Sequence, residues 1–150
     1  MRIANYLLIT GITALLFSCG NEVEKDIANS TVSQEEHDHT SESIDLDNGS
    51  KWKVIDSMMV HIENMEADLK QFEDLKETDY SLLASKLTAN IDLLTSSCTM
   101  TGKAHDELHK WLLPYIDLVT ELSDAENQEE QIGALNAIHS SFETFNAYFE

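Results

Sequence analysis

From Lys51 to Phe149 the apolar residues recur every three or four positions, and one proline (Pro114) and two glycines (Gly102 and Gly133) interrupt the stretch. A period of 3.6 lines such residues up on one helix face, whereas a half-buried strand needs strict alternation. No segment reads as a strand, so the spacing predicts an all-α fold. Helix one is expected over 51–75, with Ser50 as N-cap and Val54, Ile55, Met58, Met59, Ile62, Met65, Leu69 and Phe72 inward. Helix two is expected over 79–97 with Tyr80, Leu83, Leu87, Ile91 and Leu94 inward, and Cys98 falls one turn beyond on the same stripe. Helix three is expected over 103–122, burying Ala104, Leu108, Trp111, Leu112, Tyr115, Val119 and Leu122. Asn127 and Glu130 have the spacing of a capping box. The fourth helix then runs to Phe149 with Leu135, Ile138, Phe142, Phe145 and Phe149 inward. Pro114 is expected to kink or divide helix three and to free the carbonyl of Lys110.

Helices of roughly 20 residues joined by short loops predict an up-down-up-down antiparallel four-helix bundle, each helix ~30 Å long. In this plan, and in the ending Phe145-Asn146-Ala147-Tyr148-Phe149, the chain resembles the cytochrome b562 family. That family carries a haem-ligating histidine just after the Ala-Tyr pair, where this chain has Phe149. No C-x-x-C-H attachment motif is present either, so no haem is expected.

The N-terminus reads differently. Met1 to Ser18 carries one charge, Arg2, followed by apolar and small residues. This is the pattern of a secretory signal, too short for a stable membrane-spanning helix in the mature protein. The run ends Leu16-Phe17-Ser18-Cys19, which resembles the lipobox of bacterial lipoproteins. The resemblance implies cleavage before Cys19 and acylation of that residue, with residues 1–18 as signal peptide. A cleaved signal without lipid and an uncleaved anchor are the alternatives. Residues 20–50 are acidic and free of aromatics, too poor in apolar surface to offset chain entropy. They are expected to form a disordered tether between the lipidated cysteine and a domain spanning 51–150. The acids soon after Cys19 resemble the export signal of some surface lipoproteins. The expected location is the cell envelope, on the outer membrane facing the periplasm or on the cell surface.

The whole chain has 9 Lys and Arg against 28 Asp and Glu, a formal charge of −19. Arg2 is its one arginine, so none remains after signal cleavage. A surface without clustered Lys and Arg does not neutralise phosphates, which argues against nucleic acid as a partner. An anionic bilayer would also repel it, leaving the lipid as the attachment. Two cysteines are present, and the lipobox takes Cys19. Cys98 is then an unpaired thiol in an exported protein: buried and inert, metal-bound, or paired with another chain.

The segment from Cys98 to Pro114 holds the densest set of chemically capable side chains. It resembles a C-x-M-x-G-x-x-H-x-x-L-H string of small uncharacterised bacterial lipoproteins, a likeness that implies no activity. His105 and His109 are i and i+4, neighbours on one helix face beside the core stripe, and two such imidazoles can chelate an ion. Cys98 and Met100 lie on the link leading into the helix, where Gly102 permits a tight turn. Together these four residues form an expected soft-metal site. A structural reading competes with it: a boundary histidine that only hydrogen-bonds, Cys98 as core, Met100 as a plug. Met58, His61 and Met65, at i, i+3 and i+7, form a second candidate cluster, with core filling as the competing reading. Antiparallel packing would place the start of helix one beside the link between helices two and three. His37 and His39 in the tether can hold a metal loosely, and His139 is given no role.

Several chemistries are excluded. A di-iron bundle needs two Glu-x-x-His pairs, and the domain offers only Asp106-x-x-His109. Nucleophile-elbow, phosphate-loop and dinucleotide motifs are absent from the sequence. A Cys98–His105 catalytic pair would need a pocket that so small a bundle hardly provides, so no enzyme activity is expected. The expected function is soft-metal binding, Cu(I) ahead of zinc, for sequestration or hand-off. The alternative is a metal-free module docking another envelope protein.

Overall fold

The computed structural model describes residues 42–150 and contains four helices in the expected order. They are α1 (Asp56–Asp74), α2 (Tyr80–Ser96), α3 (Lys103–Asp124) and α4 (Gln128–Tyr148). The expected signal peptide, Cys19, His37, His39 and the expected tether as far as residue 41 lie outside the described residues.

Side-chain pairs fix the antiparallel order. Ser57 and Ser97 donate hydroxyls to each other's carbonyls, at 3.5 and 3.1 Å. Farther along α1, Asp68 lies 3.4 Å from the Lys86 ammonium, which comes earlier on α2. Asn146 donates to Glu66 at 2.7 Å, and His139 Nε2 lies 3.0 Å from Glu73 Oε1, so α4 runs back along α1. Two N-caps carry side-chain bonds, the second of them the expected one at Asn127. Asp79 accepts from the Leu82 N–H at 2.9 Å, and Asn127 from the Glu130 N–H at 3.1 Å. The Glu130 carboxylate reaches back to the N–H of Glu126, one residue before the cap.

The inward stripes pack as one core. Trp111 joins an aromatic cluster within it, stacked on Tyr115 at 5.0 Å and tilted against Phe145 at 4.7 Å. Its indole N–H donates to the Ser141 carbonyl at 2.8 Å. Phe149 is 2% exposed and stacks on Phe145. The Tyr115 hydroxyl is buried without a hydrogen-bond partner, and burial pushes its pKa up. No helix among the described residues is long and apolar enough to cross a membrane.

Two boundaries differ from expectation. α1 begins at Asp56, with Ile55 as a cap that makes no side-chain bond. Residues 52–54 are instead extended and pair with the end of the chain. Trp52 N–H donates to Tyr148 O at 2.8 Å, Glu150 N–H to Trp52 O at 2.9 Å, and Val54 N–H to Glu150 O at 2.8 Å. Lys51-Trp52-Lys53-Val54 alternates exposed and buried, a period-two signature too short to register against the helical pattern that follows. Ser50 closes a two-residue turn with Asp47 around Asn48 and Gly49, both at positive φ (50° and 90°). Residues 42–50 of the expected tether are thus part of the folded domain. Of the two outcomes expected at Pro114, a kink or a division, the division does not occur: α3 runs through it as one 22-residue helix.

Candidate metal-binding end of the bundle

The start of α1, the end of α2 and the start of α3 share one end of the bundle, and both candidate clusters lie near it. The reciprocal Ser57–Ser97 hydroxyl bonds bring the α1 cluster beside the link that carries Cys98. α2 closes at Ser97, whose N–H donates to Leu93 O. Cys98 is a free thiol, half-buried, and with Met100 it packs against the core. Gly102 caps α3 at φ 72°, where a side chain would be strained, and its carbonyl accepts from His105 and Asp106. The chain bends at Gly102.

His105 and His109 do come together: their ring centroids are 4.2 Å apart, tilted by 51°. The His105 side chain is 28% exposed, with Nδ1 3.9 Å from the Asp106 carboxylate. His109 is exposed, a correction to its expected place beside the core stripe. Four residues at 3.6 per turn carry His109 about 40° farther round the helix than His105. No group of three His, Cys, Asp or Glu converges as a ready metal cage among the described residues. The arrangement presents a two-imidazole chelate, with two sulfurs held against the core at the adjoining link. Recruiting those sulfurs requires the 98–101 link to turn them outward.

The second cluster is divided. Met58 and Met65 are 1% and 0% exposed, closely packed core residues. His61 is half-buried, and its Nδ1 is buried without a hydrogen-bond partner.

The opposite flank of α3 holds what the sequence pattern does not reveal. Glu107 is 3% exposed, the one buried charged residue among those described. Its carboxylate accepts the Asp45 N–H at 2.8 Å and the Lys110 ammonium at 3.0 Å. Lys110 also donates to Ser43 O at 3.1 Å, and Trp52 Nε1 to Asp45 O at 2.5 Å. The Lys103 ammonium stands 5.7 Å over the Trp52 ring. Burial alone would raise the Glu107 pKa, but the Asp45 N–H and Lys110 outweigh it and hold the carboxyl below its ordinary value. Two local signals were available: the Asn48-Gly49 turn dipeptide and the Glu107–Lys110 spacing of i, i+3. Neither reveals that the segment docks on α3. Next to it lies a groove of about 600 Å³ between α3 and α4, floored by Trp111, Pro114 and Leu118 and walled by Ser43 and Ile44.

No protein-family model, curated protein or solved structure matches the chain.

Proposed function

We propose that this chain is a lipid-anchored protein of the bacterial cell envelope, acylated on Cys19, whose helical domain binds a soft metal ion without catalysing a reaction. Cu(I) is the preferred ion and zinc the next, for sequestration or hand-off. The carrying observation is the pair of imidazoles 4.2 Å apart, directly after a link that bears a free thiol and a thioether. Thiolate and thioether donors favour Cu(I), while a carboxylate added to Cys98, His105 and His109 would complete a zinc set. Competition titration of the full chain against a Cu(I) chelator, under reducing conditions, tests the reading. Wild type should hold the ion and His105→Ala/His109→Ala should lose it. Equal loss by both would refute a site at these histidines. The anchor is tested separately: Cys19→Ala should abolish lipid labelling and membrane fractionation.

The α3–α4 groove favours a second reading, a metal-free module that docks another envelope protein. That reading takes over if neither form binds metal.

A further inference from the structure

We infer that residues 42–50 form a latched strap over one edge of the bundle, which opens as a unit while the four helices stay folded, with Glu107 as its latch. The strap is thinly held by apolar contact. Of its nine residues only Ile44 is half-buried, and the rest are exposed. Polar bonds hold it instead, and all but one go to one turn of α3. The Asp45 N–H and the Lys110 ammonium meet on the Glu107 carboxylate, Lys110 takes the Ser43 carbonyl, and the Trp52 indole takes the Asp45 carbonyl. The far end is a two-residue turn closed on itself by Asp47 and Ser50. Beyond it, Trp52 and Val54 are 8% and 7% exposed and paired to the chain's end, so they belong to the body of the domain. A segment with little buried surface and a few concentrated bonds opens at a lower free energy than a packed core. Opening removes the wall that Glu42, Ser43 and Ile44 give to the α3–α4 groove, and so turns a partly walled groove into an open helix face. The strap is therefore a lid on that groove. This reading does not depend on metal binding.

Two variants attack the latch from its two sides. Glu107→Gln weakens the acceptor. Asp45→Pro deletes the backbone N–H that Glu107 accepts and leaves the bundle's own residues untouched. The readouts, on the full chain, are chymotrypsin cleavage after Leu46, inside the strap, and amide exchange at Leu87 in the core of α2. Losing a bond to a charged acceptor should speed cleavage roughly ten- to a hundredfold in both variants. In the wild type, urea well below the unfolding midpoint should leave cleavage nearly unchanged while it speeds exchange at Leu87, because opening the strap exposes little surface and unfolding the helices exposes much. If cleavage and Leu87 exchange rise together with urea, the strap unfolds only with the domain and the inference is overturned. Unchanged cleavage in both variants overturns Glu107 as the latch.

Discussion

The first two turns of α3 have two flanks, and their residues interleave within eight positions of sequence. On one flank, Glu107 and Lys110 bond to a chain segment from more than fifty residues upstream, and the exposed Lys103 stands over its Trp52 ring. On the other, His105 is half-buried and His109 exposed. The first flank satisfies a buried carboxylate with a backbone N–H and a lysine, in a chain where cations are scarce. A buried charge left unpaired would cost several kcal/mol, so the partners come as a set. The second flank has no such set: its two rings face one another and little else is fixed around them. One flank holds the 42–50 segment against the helix, while on the other the two imidazoles contact each other and Asp106.

Leu108 lies between the flanks and is 0% exposed, which makes it the strongest test of their shared base. Leu108→Ala should cost about 2–5 kcal/mol through lost burial and the cavity left behind. The urea midpoint measures it. A loss below about 1 kcal/mol would mean that the flanks are not built on a close-packed core.

Glu107→Gln should come next, at about 1–2 kcal/mol, because the amide keeps the shape but not the charge. The effect must depend on pH. The folded carboxyl lies below its ordinary pKa, so it contributes stability above the unfolded value of ~4.3 and loses it as pH falls through the lowered folded value. Wild type and variant should therefore converge in acid. A gap that stays constant down to pH 2 would show that the charge is not what matters. Trp52→Phe should cost less, about 1 kcal/mol, since the exposed Asp45 segment can turn its freed carbonyl to water.

Why one flank was legible in the sequence and the other was not is a matter of range. Helical periodicity is a local property, so the stripes through Leu87, Leu108, Tyr115 and Ile138 emerge directly, and all four are buried. The His105–His109 pairing follows from i, i+4 geometry alone. The strap instead depends on a contact 62 residues apart in sequence, between Asp45 and Glu107. Its residues carry the polar composition of a disordered segment, because polar bonds hold it. Trp52 was the available hint: an aromatic ring just inside the expected helix start, in a short alternating run. Tertiary pairing with the chain's end overrode helix propensity there, and α1 starts at Asp56 as a result.

The smallest expected effect on the metal-free fold belongs to the open flank, and it is the sharpest way to separate the two. His105→Ala/His109→Ala removes two rings whose one defined contact, apart from the 3.9 Å approach to Asp106, is with each other. His105 is half-buried and His109 exposed, and neither gives up a bond to a buried partner, so the change in stability should be about 0.5 kcal/mol. The metal-dependent term is another matter. A ligand that binds only the folded state stabilises it by about 2.7 kcal/mol at a hundredfold excess over its dissociation constant. Wild type should gain that stabilisation from Cu(I), and the double variant should gain none. Cys98→Ser then asks whether sulfur joins the site. The thiol is half-buried, so the serine form should fold, and a hydroxyl is a poor Cu(I) ligand. If Cys98→Ser binds Cu(I) as tightly as wild type, the imidazole pair acts without the thiol and the 98–101 link stays packed. If it binds far more weakly, the link must turn its sulfur outward, and amide exchange at Thr99 and Thr101 should change on adding metal.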